Sequence, residues 1–239
     1  MELSFSRFRL YRECPWKYKL QFIDGRRPSM DPPASLGVSL HRALERYHGR
    51  EDLLDAYDAE FLRSGYPDAE ARGRWKRRGE RILETFLERD AGRRTEVLGA
   101  EREFVFALGR HTVRGMIDRL DRHPDGTIEL VDYKTRLGLD PRDPSPPPEE
   151  SDLQLRFYAL GAKEGLGLAP SLLTVHYLAA DRVESRPYDP TGEEALKAEI
   201  TRVADGIEAA TASGVFTPDT SFCPRCVFRT DCRYSVARR

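Results

Sequence analysis

Two segments decide the fold: Val113-Arg-Gly-Met-Ile-Asp118-Arg119-Leu120 and Ile128-Glu-Leu-Val-Asp132-Tyr133-Lys134-Thr135. Each has the alternating, β-branched character of a strand, and His123-Pro-Asp-Gly126 between them is a tight-turn sequence, so together they predict adjacent strands running antiparallel. Alternation places Asp132 and Lys134 on one face, about 7 Å apart along the strand, and that face also carries Ile128 and Leu130. Two charges therefore end an apolar row, and the neighbouring strand brings Asp118 towards them. Charges at the edge of a core cost free energy unless they pair or bind metal, and a divalent cation relieves the repulsion between two carboxylates. Carboxylate oxygens are hard donors suited to magnesium or manganese. An ordinary ion pair between Asp132 and Lys134, with Asp118 as a turn carboxylate, satisfies the same residues.

Upstream of this pair the pattern is helical. Ser4 or Ser6 can cap a short helix, and Pro15 suits the first turn of a second that runs to about Phe22. The Pro28 to Pro33 stretch leads into a helix around Leu36 to His48, followed by helices at Glu51 to Leu62 and Pro67 to Arg89. Strand alternation begins near Val97, with Phe104 and Phe106 on one face. Downstream, Asp140 to Glu150 contains five prolines and reads as a stiff, exposed loop overhanging the site. A helix at Asp152 to Glu164, strands at Leu172 to Ala179 and Val183 to Tyr188, and a helix at Glu193 to Ala212 complete the pattern. This predicts an α/β (α+β) fold with a mixed central sheet flanked by helices, one domain over residues 1–239, and a helical insertion at residues 50–95.

The chain has 239 residues, 39% hydrophobic and 33% charged, which is enough to bury a core and excludes both a disulfide-stapled miniprotein and wholesale disorder. Bilayer spanning needs about 18 to 20 consecutive apolar residues, and no such run occurs. The start, MELSFSRFRLYRE, has no apolar core or small-residue cleavage site, which predicts a cytoplasmic protein without a membrane partner. With a net charge of -1, a nucleic-acid partner must be held by a local patch. The densest basic run, Arg72 to Arg81, includes Arg74, Trp75, Lys76, Arg77 and Arg78, and positive charge with an aromatic ring suits single-stranded nucleic acid. The same run also reads as a solvated helix face paired with Glu80, Glu84 and Glu88. Arg7, Arg9 and Arg12 form a smaller group. Lysine occurs only at 17, 19, 76, 134, 163 and 197, so 33 of the 39 basic residues are arginine and Lys134 beside two aspartates stands out. No phosphate-binding loop or dinucleotide fingerprint is present, so ATP hydrolysis by this chain is not expected.

The four cysteines are Cys14 and a C-x2-C-x5-C group at Cys223, Cys226 and Cys232. Short spacings in a chain without an export signal read as metal ligands, and four thiolates suit zinc and an iron-sulfur cluster equally. Coordination would close a loop of about 200 residues, an entropic cost that metal binding can offset.

Gly115-Met-Ile-Asp118-Arg119 followed by Leu130-Val-Asp132-Tyr133-Lys134-Thr135 resembles the core of the PD-(D/E)xK nuclease superfamily, in particular the RecB-like exonuclease branch that includes AddB-type subunits and CRISPR adaptation nucleases. Cys14-Pro15-Trp16-Lys17-Tyr18, Leu36-Gly37-Val-Ser-Leu-His41 and Gln154-Leu-Arg-Phe-Tyr158 match further motifs of that branch in order. The resemblance implies a restriction-endonuclease-like core that hydrolyses phosphodiester bonds at single-stranded DNA ends in repair or recombination, with a helicase or repair protein as partner. It implies that His41, Asp118, Asp132 and the Tyr133 carbonyl hold Mg2+ or Mn2+, and that Lys134 orients water and stabilises phosphate charge. Glu101 resembles an acidic position ahead of the Asp118 strand, with Glu103 as the alternative. Gln154 and Tyr158 would touch nucleic acid or brace the lysine, and His48, two turns beyond His41, reads as a surface histidine. The cysteines resemble a 4Fe-4S staple that joins the two ends of the chain, with zinc as the alternative.

Overall fold

The computed structural model describes residues 1–48, 51–135 and 148–237, the side chains of 148–151 excepted. In chain order the elements are β1 (Glu2–Leu3), α1 (Phe5–Glu13), α2 (Pro15–Tyr18) with a π-helical continuation (Lys19–Ile23), α3 (Pro32–His48), α4 (Leu53–Glu60) and α5 (Ala69–Ala91). There follow β2 (Glu96–Leu108), β3 (His111–Arg122), β4 (Ile128–Lys134), α6 (Pro148–Leu166), β5 (Leu172–Tyr177), β6 (Arg182–Pro187) and α7 (Glu193–Ser213), then a 3-10 turn at Thr220–Arg225. By internal contacts the chain divides into two compact units, one of Met1–Pro28, Val105–Gly115 and Pro190–Arg239, the other of Ser29–Phe104 and Met116–Asp189.

In the first unit, Ser4 caps α1 by accepting from the Arg7 N–H at 3.4 Å. Helix α1 lies on α7, where the Tyr11 hydroxyl donates to the Gly206 carbonyl at 2.9 Å and Arg12 pairs with Glu199 at 2.7 Å. Phe5, Phe8 and Tyr18 are buried here, as are Ile200, Val203 and Ile207. β1 runs parallel to the start of β3, Leu3 opposite Val113.

In the second unit, β3 and β4 are antiparallel, β4 and β5 parallel, and β5 and β6 antiparallel. This is the expected mixed sheet, and helices cover both its faces. Alternation sends Leu120, Leu130, Leu173 and Val175 to the side of α6, whose Leu155, Phe157 and Leu160 are buried. Val131 and Tyr133 face the other way, into an apolar cluster with Leu36 and Leu40 of α3, Tyr57 of α4, and Leu83 and Phe86 of α5. The turn at His123-Pro-Asp-Gly126 closes as expected, the His123 N–H donating to the Thr127 carbonyl at 2.9 Å.

Three expectations need correction. α3 begins at Pro32, ahead of Leu36, because Asp31 accepts from the Ala34 N–H at 2.9 Å and prolines are tolerated in a first turn that has no N–H to lose. α6 starts at Pro148, so residues 148–150 belong to a helix and not to the loop read at Asp140 to Glu150, for the same first-turn reason; residues 140–147 lie outside the described residues. The second helix changes from α to π hydrogen bonding after Tyr18.

Candidate active site

Four elements aim polar groups from residues of the second unit at one point. Extending the β3/β4 register by one residue sets Asp118 opposite Asp132, both on the side facing α6. The Tyr133 N–H donates to Asp118 Oδ2 at 2.7 Å, so the backbone of one strand holds the carboxylate of the next. Helix α3 supplies His41, and Gly37, one turn earlier, permits the approach: a Cβ there would lie 2.7 Å from Thr135 Oγ1, immediately after Lys134. The His41 ring hydrogen-bonds the backbone of Tyr133.

Glu101 comes from β2, where it adopts a left-handed φ of 44°. For a glutamate in a strand this conformation costs about 1–3 kcal/mol, and it turns the side chain out of the regular alternation. As a result His41, Glu101 and Asp118 bring one ligand atom each to within 4.8 Å of one another. Of the two candidate glutamates the structure brings Glu101 to the group, while Glu103 lies on the exposed side of β2. Asp132 is not a member of this trio, although its charge acts on both His41 and Asp118.

The electrostatics are those of crowded, partly dehydrated acids. Burial, followed by the charge of Asp132, raises the Asp118 carboxyl well above the usual carboxylate range. Burial, with Glu45 one turn beyond His41 adding negative charge, pushes Glu101 up to about 7. His41 is lowered, chiefly by burial. Asp132 Oδ2 is buried and accepts no hydrogen bond among the described residues. Among the described residues its ion-pair partner is Lys134, whose Nζ lies 2.7 Å away, with side-chain exposures of 3% for Asp132 and 17% for Lys134. That contact is ionic and lacks hydrogen-bond alignment. An orphaned buried carboxylate oxygen beside two carboxylates and an imidazole is a donor set that fits a hard divalent cation, which would supply the missing charge. His41, Glu101, Asp118 and Asp132 are the residues able to hold one.

Lys134 is fixed on its other side by Gln154, whose Oε1 accepts from Nζ at 2.6 Å. The Gln154 amide also bonds the hydroxyl of Tyr158, one turn along α6, whose ionisation burial shifts upward. Gln154 and Tyr158 therefore brace the lysine. The basic run falls on α5, away from this trio: Arg74 pairs with Glu70, Lys76 with Asp58, and Arg78 stacks on Trp75 at 5.4 Å. Trp75 itself is half-buried against the helical cluster, and Arg77 is exposed.

Sequence reasoning misjudged one residue and missed a network. His48 is not a surface histidine. It is half-buried and stacked on Tyr133, with ring centroids 6.0 Å apart and Nε2 3.1 Å from the Tyr133 hydroxyl, because two helical turns return it to the sheet-facing side of α3. Behind the sheet, Arg119 binds Asp121 at 2.7 Å and Asp90 at 2.6 Å, and Arg93 binds Asp121 at 2.9 Å and Glu129 at 2.5 Å. The signal was present in the alternation, which puts Arg119, Asp121, Glu129 and Tyr133 on the face opposite Asp118 and Asp132.

The four cysteines all belong to the first unit and line one cavity together with Trp16, Lys17, Leu20 and Phe222. Cys14, Cys223 and Cys232 are buried, and the Asp219 N–H donates to Cys14 Sγ at 3.3 Å. Burial raises the Cys226 thiol, with Cys14 and Cys232 near enough to add to the effect. The four cysteines thus share the lining of one cavity, with Cys14 Sγ accepting a backbone N–H, although no three of their sulfurs lie within 4.8 Å of one another in this structure.

No protein of curated function matches the chain. The fold resembles that of a candidate exonuclease from Eubacterium rectale at 11% identity and a TM-score of 0.55, covering 94% of this chain and 86% of that one. A second solved structure, SSO0001, matches at 18% identity over 93% of this chain and 95% of the other, with a TM-score of 0.39. The family model of the PD-(D/E)XK nucleases matches residues 2–233. That match embraces every element just described, and with it the chain belongs to the PD-(D/E)XK nuclease superfamily.

Proposed function

We propose that this protein is a magnesium- or manganese-dependent exonuclease that hydrolyses phosphodiester bonds at single-stranded DNA ends, in the manner of the RecB-like branch. The observation that carries the reading is the convergence of His41, Glu101 and Asp118 beside a buried, unbonded oxygen of Asp132, with Lys134 held between Asp132 and Gln154. His41, Glu101, Asp118, Asp132 and the Tyr133 carbonyl hold the divalent ion. When bound, that ion supplies Lewis-acid activation of water and neutralises charge on the phosphate. Lys134 presents a fixed ammonium to the attacking water and to the phosphoryl oxygens, and its two braces spare it reorganisation as charge develops. Tyr158 and Gln154 border the strand, and Arg74, Trp75, Lys76, Arg77 and Arg78 offer it a secondary basic surface.

The reading takes residues 1–239 as one nuclease domain with residues 50–95 inserted. Cys14, Cys223, Cys226 and Cys232 carry a 4Fe-4S cluster, zinc being the alternative, that ties the two ends of the chain. The setting is cytoplasmic repair or recombination, with a helicase or repair partner that delivers single strands. Among the described residues no helix is long and apolar enough to cross a membrane.

The test is degradation of end-labelled single-stranded DNA with Mn2+ or Mg2+ by anaerobically purified wild type and Lys134→Ala. Shortening by wild type, with a loss of at least about a hundredfold in the variant, is expected. Equal residual cleavage points to a contaminant. No cleavage by a folded, metal-loaded wild type overturns the reading in favour of a catalytically inactive DNA-binding or helicase-associated scaffold.

A further inference from the structure

Tyr133 joins the two faces of the sheet. Its backbone serves the site, with the N–H on Asp118 Oδ2 at 2.7 Å and the far side of the residue on the His41 ring. Its side chain points the other way and is 3% exposed. The ring lies against His48, Phe86 and His176. The hydroxyl sits 3.1 Å from His48 Nε2 and 3.5 Å from Arg119 Nη1. A guanidinium can only donate, so the hydroxyl accepts from Arg119 and has its own proton to offer His48 Nε2, the pairing that a neutral imidazole with its proton on Nδ1 permits. Helix α3 thus grips one residue twice, by its backbone through His41 and by its hydroxyl through His48, seven positions later on the same helix face.

We propose that His48 is a positioning residue for the metal site: by anchoring the Tyr133 hydroxyl it sets the peptide unit that orients Asp118 and His41. The inference rests on the metal-dependent reading given above. It assigns a task to a histidine that touches neither ion nor DNA, and it makes the far-face network of Arg119, Asp90 and Asp121 the support of that anchor. Partners that orient metal ligands characteristically change metal affinity by 10- to 100-fold when removed, roughly the range expected here.

The experiment is direct titration of the purified full chain with Mn2+, free ion being counted by electron paramagnetic resonance, together with the Mn2+ dependence of DNA cleavage. His48→Ala should weaken Mn2+ binding by about tenfold or more. Its cleavage rate should recover largely as Mn2+ is raised, a split that general unfolding does not produce. His48→Gln, whose amide oxygen can accept from the Tyr133 hydroxyl where Nε2 did, should restore binding to within about threefold. Tyr133→Phe keeps the ring and the backbone but loses the hydroxyl, and should weaken binding as His48→Ala does, which covers the case in which His48→Ala misfolds. Wild-type affinity in folded His48→Ala and Tyr133→Phe overturns the inference alone. Failure of the wild type to bind Mn2+ overturns the metal reading beneath it, so the two failures are distinguishable.

Discussion

Replacing Glu101 with glutamine should stabilise the protein at alkaline pH while weakening the proposed metal site. The Glu101 carboxyl titrates near 4.5 when unfolded and is pushed up to about 7 in the fold, by burial and then by Glu45. Between those values the folded chain keeps a proton that the unfolded chain has released. Stability therefore falls as pH rises above 4.5 and levels off above about 7, where both states are ionised. At about 1.4 kcal/mol per pH unit, the cost of ionising this half-buried acid has an upper limit of about 3 kcal/mol, which solvent screening reduces to about 1–2 kcal/mol. Glutamine has the same shape and no charge, so Glu101→Gln removes the cost. The stability gap between variant and wild type should widen by about 1–2 kcal/mol between pH 5 and pH 8. Urea unfolding at the two pH values, in buffer without added divalent metal, measures the gap. Parallel pH profiles for the two proteins would refute the reasoning, because they would mean that Glu101 ionises as freely in the fold as in water. Weaker Mn2+ binding in the stabilised variant would complete the pattern of a functional site that costs stability.

Three further outcomes follow from the packing. Arg119→Met should destabilise the protein by up to about 3–5 kcal/mol in chemical denaturation, because it leaves the buried carboxylate of Asp121 with Arg93 and Thr95 alone and takes the guanidinium from Asp90; a loss below about 1 kcal/mol would show that these charges are solvated. Gly161→Ala would place a Cβ 2.4 Å from the Phe104 ring, and should cost about 1–3 kcal/mol by forcing α6 away from β2, read as a lower melting temperature. Cys226→Ala should lose metal loading at the four-cysteine cavity and lower the melting temperature, and a variant with unchanged metal content and melting point would remove the cysteines from any ligand role.

The hairpin that carries Asp118, Asp132 and Lys134 was legible because its information is local. A period of two assigns faces, a tight turn assigns pairing, and the two together place three charges side by side. The helices were legible in type but less so at their ends: α3 and α6 begin in proline-containing first turns, where a residue usually read as a breaker is tolerated. His48 was misread because helical spacing tells which residues share a face and not what that face meets. The same limit hid Arg93, Arg119, Asp121 and Glu129, whose charges look solvated in sequence and are buried in mutual pairing across three elements.

What the sequence determined by itself is therefore the chemistry available: the carboxylates, imidazole and lysine in family order, and four cysteines at ligand spacing. The tertiary structure decided which of them act together. It chose Glu101 over Glu103 through a left-handed residue in β2, which strict alternation does not express. It left one Asp132 oxygen without a hydrogen bond and set Gln154 on the lysine. It also made Tyr133 the link between the two faces of the sheet, because distances across elements depend on how helices dock, and docking is a property of whole surfaces that no local pattern encodes.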